Sequence, residues 1–314
     1  MKAIAVVPYD PKWPMLYETE AGKIKTALGD TLIEIHHIGS TSVSGLAAKP
    51  VIDIIALVKN FDIAISFLES IRYEARGEVY LPFRQYFRKG KEVNLHVYEN
   101  DSPEALLNLY FRDYLRNHEA ARNEYQGLKY SLLEDERVGF KDHGKFTNYN
   151  LGKDEFIRKI LKCAGFDEFR LMYCNHHHEW ANYHRICKDQ LFDPYQTKYN
   201  SQYNPNHPTM TDPNCFHFVM YKGVEIVSVA MIEFLIDNAV ILRSLATDEP
   251  YKMKGYGREV MQLLEKWVKS KGKKVIKTHS ALPDKQFYRK LGYIHMKFDD
   301  RSILIESVDL GKEL

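Results

Sequence analysis

His37-Ile38-Gly39-Ser40-Thr41-Ser42-Val43-Ser44-Gly45-Leu46-Ala47-Ala48-Lys49-Pro50-Val51-Ile52-Asp53 reads as the end of one strand, a glycine loop and the start of a second strand. A second loop, Lys252-Met253-Lys254-Gly255-Tyr256-Gly257-Arg258, lies far downstream and also follows a strand. Glycines lack a Cβ, so backbone N–H groups crowd toward one point, and a helix starting there adds its positive dipole end. Both loops therefore read as cradles for phosphorylated small molecules. Two of them so far apart in one chain predict two ligand-binding domains.

The bulk properties agree with that division. The chain has 314 residues, 45% hydrophobic and 27% charged, enough for two cores of ordinary size. A net charge of +2 excludes an overall drive toward nucleic acid or acidic membranes. The local basic stretch Lys266, Lys269, Lys271, Lys273, Lys274 and Lys277 reads as a solvated face. Cys163, Cys174, Cys187 and Cys215 show neither a C-x-x-C nor a disulfide-scaffold spacing, which suits reduced thiols. The chain opens on a mixed strand and Pro8-Tyr9-Asp10-Pro11, unlike a charged leader with an apolar run, and no uncharged apolar stretch is long enough to cross a bilayer. The expectation is a soluble cytoplasmic protein with no membrane and no specific nucleic-acid partner.

Spacing and punctuation give an α+β N-terminal half. A helix over 15–28 closes at Gly29, strands run from Leu32 to Ile38 and from Val51 to Val58, and Phe61 to Tyr73 is helical. A strand pair, Arg84 to Lys89 and Val93 to Tyr98, turns at Lys89-Gly90, followed by one long helical stretch from Pro103 to Leu133. A helix from Lys153 to Lys162 ends at Ala164-Gly165, where the domain boundary is placed, giving domains 1–165 and 166–314. Beyond it come a strand at Arg170 to Tyr173, a helix around Glu179 to Leu191 and a polar loop from Asp193 to Asn214. Three antiparallel strands follow, Phe216 to Tyr221, Glu225 to Leu235 and Ala239 to Ala246. After the second glycine loop an amphipathic helix carries Val260, Leu263, Leu264 and Trp267, followed by strand Lys274 to His279, helix Asp284 to Leu291 and two closing strands.

That C-terminal order, with Gly255 and Gly257 in the loop and Phe287-Tyr288-Arg289-Lys290-Leu291-Gly292-Tyr293 after it, resembles the GNAT acetyltransferases. Lys252 stands where the family usually has Gln or Arg. The resemblance implies a mixed, mostly antiparallel sheet, acetyl-CoA or another acyl-CoA as substrate and direct transfer to an amine. The backbone from Lys254 through Gly255, Tyr256 and Gly257 to Arg258 would ring the pyrophosphate. The pantetheine arm would lie along the strand that ends in Leu245 and Ala246, and Tyr288 would protonate the departing thiolate. Among carboxylates, Glu233 is the first choice for the general base, with Asp248, Glu249 and His279 behind it. His176-His177-His178 reads as a solvated helix start.

Residues 8–162 resemble the GrpB family, which is related to the nucleotidyltransferases, at Tyr9-Asp10-Pro11-Lys12-Trp13-Pro14, at the first glycine loop through Asp53, at Leu95-His96-Val97, at Phe111-Arg112-Asp113-Tyr114-Leu115-Arg116 and at Tyr149 to Phe156 with Lys153. The resemblance implies a nucleotidyltransferase-like fold with a ligand site at Gly39, Ser40, Lys49, Asp53, Arg84, Arg88 and His96. Two-metal phosphoryl transfer needs an Asp-x-[Asp/Glu] pair, and Ile55 occupies the second carboxylate position. Asp53 with His96 is then read as a site for one softer divalent ion, as hydrogen-bonding groups for a nucleotide or phosphate ligand, or as a buried structural pair. The chain is thus expected to be a bifunctional, two-domain acyl-CoA-dependent N-acetyltransferase acting on a small-molecule amine or peptide. The alternative is an N-terminal enzyme of phosphate ligands with a CoA-binding regulatory module behind it.

Overall fold

The computed structural model describes residues 5–142, 146–195, 202–300 and 306–314, so part of the polar loop, 196–201, lies outside the described residues. The chain forms two compact units, Met1–Glu168 and Phe169–Leu314.

In the first unit, helix α1 (Trp13–Leu28) buries Trp13, Ala21, Ile24 and Leu28, and Gly29, at φ 48°, ends it. Strands β1 (Leu32–Ile38) and β2 (Ile52–Val58) flank the first glycine loop, and α2 (Phe61–Ser70) is capped by Asn60, whose side chain accepts from the Ile63 amide. With β3 (Glu74–Ala75), β4 (Arg84–Lys89) and β5 (Val93–Glu99) they build a five-stranded sheet in the order β1-β2-β5-β4-β3. Only β2 and β5 run parallel in it, with Asp53 opposite Asn94 and Ile55 opposite His96. Strand alternation sorts the two faces. Ile52, Ile54, Ala56, Leu95 and Val97 pack with α1 and α2, while Ile38, Ile55, Leu57 and Tyr98 meet Ala105 on the other side.

The stretch expected as one helix is two, α3 (Pro103–Asn117) and α4 (Glu119–Leu133), broken at His118, which is extended at φ −127° and ψ 95°. No Gly or Pro marks the break. Side chains make it instead: Asn117 donates to the Asp113 carbonyl and His118 Nδ1 bonds the Tyr114 carbonyl, satisfying oxygens that a continuing helix would have used. The short ladder β6 (Lys141–Asp142) and β7 (Phe146–Thr147), then α5 (Asn148–Leu151) and α6 (Asp154–Cys163), complete the unit. Phe156 and Ile160 of α6 join Val43, Leu46, Leu115 and Tyr125 in a second core beneath the glycine loop.

The second unit is a seven-stranded mixed sheet in the order β13-β14-β12-β11-β10-β9-β8. Its strands are β8 (Phe169–Tyr173), β9 (Cys215–Lys222), β10 (Glu225–Phe234), β11 (Ala239–Thr247), β12 (Val275–Ala281), β13 (Ile294–His295) and β14 (Ser307–Glu313). Helix α7 (His177–Cys187) covers one face through Tyr183 and Ile186, with a π turn, Lys188–Phe192, after it. Helix α8 (Tyr256–Ser270) covers the other, where fully buried Trp267 sits among Tyr173, Phe216, Phe218 and Phe234 and donates its indole N–H to the Tyr173 hydroxyl. The short α9 (Lys285–Lys290) carries Tyr288.

One feature of this sheet positions the site. Strands β11 and β12 are parallel and pair only from Ala239 to Ile241 on β11, opposite Val275 to Lys277. Beyond that they part, and the β10–β11 register skips a residue at Arg243. Such a bulge bends its strand and increases local twist. The edge of β11 that carries Leu245 and Ala246 therefore has no ladder partner on the β12 side among the described residues.

Candidate functional site

The N-terminal cavity, about 340 Å³, is enclosed by the glycine loop, the start of β2, β5 and helices α3 to α6. Gly39 is required at its floor. Its φ is +69°, and a Cβ there would lie 2.7 Å from Asp53 Oδ2, so only glycine lets the carboxylate approach the loop this closely. No long helix follows Gly39; Ser40–Ser42 is one 3₁₀ turn. The helix dipole on which the sequence reading relied is absent here, and side chains supply the positive charge.

Lys49 and Lys153 place their ammonium groups 4.3 and 4.5 Å from the centre of the same ring, Tyr149. Lys129, 2% exposed, donates to Ser40 Oγ at 3.2 Å and to the Ala47 carbonyl, and lies 4.7 Å from the Tyr125 ring centre. Among the described residues none of the three forms a salt bridge; Asp53 acts on Lys49 and Lys153 only at longer range. Burial, with Lys153 adding repulsion, brings the Lys129 ammonium down to about 7. Burial and the Lys49 charge bring Lys153 down to about 8, and burial lowers Lys49 as well. Burial pushes the Asp53 carboxyl up to about 6, against the hydrogen bond from Asn94 (2.8 Å) and the nearby lysine charges. An anion entering this cavity meets several unneutralised donors.

Gly39, Ser40, Lys49 and Asp53 converge on the cavity as expected, whereas Arg84, Arg88 and His96 do not line it. Arg84 is buried and holds the turn before β4 by donating to the carbonyls of Glu78 and Val79. His96 Nδ1 lies 3.3 Å from Arg84 Nη1, and burial takes its ring down to about 3, so it is neutral. Arg88 lies opposite Asn94 on β4. The paired Asp53–His96 metal site is thus not formed: Asp53 bonds Asn94 and His96 bonds Arg84. Among the described residues no group of three or more His, Cys, Asp or Glu side chains could hold a metal ion. Lys129, Lys153 and Asn94 belong to the site and were not among the expected ligands. The signal for Lys129 was a lysine on the apolar stripe that Ala121, Tyr125 and Leu128 form on α4.

In the C-terminal unit, Gly255 caps α8 in the left-handed region, at φ 85°, with open space where a Cβ would point. The Arg258 amide is taken by the Gly255 carbonyl at 2.9 Å, which leaves the amides before it for a ligand. The Tyr256 ring stacks on Tyr251 and abuts Phe169, and Lys254 lies over Tyr251. Lys252 is paired with Glu249 at 2.6 Å. Gly257 also has a packing reason beside the one its place in the loop implies. A Cβ there would stand 3.2 Å from the Phe287 ring, so this glycine lets α8 pack on α9.

Tyr288 is buried on α9. Its hydroxyl hydrogen-bonds with that of Thr278, which donates to the Leu242 carbonyl at 3.0 Å, where β11 and β12 separate. Burial, and then Asp284, hold the phenol above its ordinary value, so it keeps its proton at neutral pH. The candidate bases are engaged. Glu233 Oε2 accepts from Arg243 Nε at 2.6 Å, and Arg243 also binds Asp300. His279 is held between Asp309 (3.0 Å) and Asp300 (3.2 Å) and stacks on Phe298. Asp248 is paired with Arg185 at 2.7 Å, which holds its carboxyl below the usual range.

With this geometry, the comparisons with known proteins fall into two groups. The family described as GrpB protein matches residues 3–163, and the acetyltransferase (GNAT) family matches 178–293. UPF0157 protein YqkA of Bacillus subtilis is 34% identical over 163 residues, which are 50% of this chain and 46% of that protein, so the chain spans less than half of this relative's length. A crystal structure of the conserved protein GrpB from Enterococcus faecalis is 37% identical, covers 51% of this chain and 96% of its own, and has a TM-score of 0.45. The PaiA N-acetyltransferase from Thermoplasma acidophilum, solved with coenzyme A, is 12% identical, covers 47% of this chain and 99% of its own, and has a TM-score of 0.36. The chain belongs to the GrpB family through its N-terminal half, and its C-terminal part is a GNAT acetyltransferase domain.

Proposed function

We propose that the C-terminal domain transfers an acyl group from acyl-CoA, acetyl-CoA first, directly to the amine of a small molecule or peptide, and that the N-terminal domain holds a nucleotide or other phosphate ligand. The observation that supports the first half is the edge of β11, which loses its ladder partner β12 beyond Ile241, before Leu245 and Ala246, together with the left-handed Gly255 at the start of α8. Backbone amides at 254–257 suit the pyrophosphate, and the free edge suits the amide-bearing pantetheine arm.

In this reading the amine nitrogen attacks the thioester carbonyl, the C–S bond breaks and Tyr288 gives its proton to the leaving sulfur after turning from Thr278. Glu233 takes the amine's proton through Oε1, since the Arg243 contact occupies Oε2 and fixes the carboxylate's orientation. A CoA-sensing module would instead bind acetyl-CoA and release no thiol. In the N-terminal domain the lysines around Gly39 and Ser40 support the phosphate-ligand reading. We place the protein in the cytoplasm. Its four cysteines are free, and among the described residues no helix is long and apolar enough to cross a membrane.

Thiol release from acetyl-CoA, with water and with a panel of small primary amines as acceptors, tests the mechanism. Tyr288→Phe keeps the ring's packing, so acetyl-CoA affinity is expected to hold while kcat falls roughly 10²- to 10⁴-fold and partly recovers with rising pH. An unchanged kcat where chemistry limits turnover removes Tyr288 from the mechanism.

A further inference from the structure

We infer that the N-terminal cavity takes a compact phosphomonoester, its dianionic head held by the ammonium groups of Lys49, Lys129 and Lys153, rather than a metal-complexed nucleoside triphosphate. The inference rests on the phosphate-ligand reading above and narrows it.

Charge comes first. Three ammonium groups face one carboxylate, Asp53, and the remaining cation of the lining, Arg112, is already engaged with Asp113 (2.7 and 3.0 Å) and with the His37 carbonyl (3.0 Å). With all three lysines protonated, the excess of two positive charges matches a phosphomonoester dianion, and the bound dianion favours that protonated state. Two-metal handling of a magnesium–triphosphate complex uses a pair of carboxylates, and here Ile55 stands where the second would be, while the lysines repel a dication. Size agrees: about 340 Å³ lies near the lower end of small-ligand pockets, which span roughly 300–1,000 Å³.

Lys129 carries the argument furthest. An ammonium 2% exposed, donating to a serine hydroxyl and a carbonyl with no salt-bridge partner among the described residues, is a costly structural element, because burying an unpaired charge is unfavourable. A ligand anion beside Ser40 resolves that cost. Lys49 and Lys153, on either contact to the Tyr149 ring, close around the same head group. Asp53, Asn94 and Asn108 line the cavity as partners for hydroxyls on the rest of the ligand, so the class is a hydroxylated small phosphomonoester.

The titratable groups facing the lysines are Asp53 from β2, Arg112 from α3, Tyr125 from α4 and Tyr149 from α5. Burial raises both phenols, Tyr149 to about 12, so neither titrates near neutrality. Lys129 and Lys153, at about 7 and about 8, do. A bound dianion favours their charged forms, so binding at about pH 8 takes up protons.

Titration calorimetry of the full chain with ribose 5-phosphate, inorganic phosphate and Mg·ATP tests this. At about pH 8 in two buffers of different ionisation enthalpy, ribose 5-phosphate is expected to bind with net proton uptake and unchanged affinity in EDTA. Lys153→Gln and Lys49→Gln should each weaken it about tenfold or more, with the circular dichroism and thermal melt of the full chain retained as a check on folding. Asp53→Asn should keep or tighten inorganic phosphate binding, since it removes a repelling charge. Binding of Mg·ATP alone, abolished by EDTA, overturns this inference and leaves the broader phosphate reading standing. No binding of any of the three overturns both.

Discussion

The two glycine loops put similar sequence to different physical use. At Gly255 the glycine caps a fifteen-residue helix, and the charge offered to a ligand is that of backbone amides and a dipole. At Gly39 the glycine makes room for Asp53, the helix is missing, and the charge comes from lysines brought in from α4, the start of α6 and the loop itself. A backbone site does not titrate and tolerates side-chain change. A side-chain site titrates and does not.

The sharpest way to break that contrast is to remove charge from both. Lys49→Gln with Lys153→Gln is expected to lower phosphomonoester affinity by about 10² or more, whereas Lys252→Gln with Lys254→Gln should change acetyl-CoA affinity by only a few-fold. Equal losses at the two sites, read by calorimetry, would show that the C-terminal loop also relies on its lysines.

The next effect is on pH. Raising the pH from about 7 to about 9 deprotonates Lys129 and Lys153, whose values sit at about 7 and about 8, so phosphomonoester affinity should fall by about tenfold or more while acetyl-CoA affinity stays nearly level. The ligand-free domain should respond oppositely. A lysine held below its unfolded value contributes stability that is present at high pH and lost as pH falls through the folded value. For Lys129 that loss runs down to about pH 7, so the N-terminal unit gains stability from pH 7 upward, and Lys129→Met should flatten this gain in thermal melts.

Smaller effects separate the two C-terminal glycines. Gly255→Ala forces a side chain into the left-handed region, a strain of about 1–2 kcal/mol, and puts a methyl group into the space before the helix, so acetyl-CoA affinity should drop about tenfold. Gly257→Ala should leave binding within a few-fold. Its Cβ meets Phe287, the neighbour of Tyr288, so kcat should fall more than affinity. If Gly257→Ala instead abolishes binding with kcat per bound substrate unchanged, the glycine serves the ligand directly.

Much of the architecture was legible before any coordinates. Apolar runs and glycine punctuation located β1, β2, β4, β5 and the β9–β11 meander to within a residue or two, because strand burial writes directly onto local sequence. The break at His118 was not legible, since two side chains competing for helix carbonyls leave no compositional mark. The site was half legible: Gly39, Ser40, Lys49, Asp53, Gly255 and Tyr288 announce themselves through loop chemistry or motif.

The sequence by itself determined two domains, their families and the glycines of the two loops, all of which depend on residues near one another in the chain. Only the tertiary structure decided which charged groups share a space. It paired His96 with Arg84 and Asp53 with Asn94, tied Glu233 to Arg243, and set Lys129 beside Ser40 from far along the chain. It also ended the pairing of β11 with β12 at Ile241. Electrostatics and strand divergence act through distance in space, and sequence separation does not encode that distance.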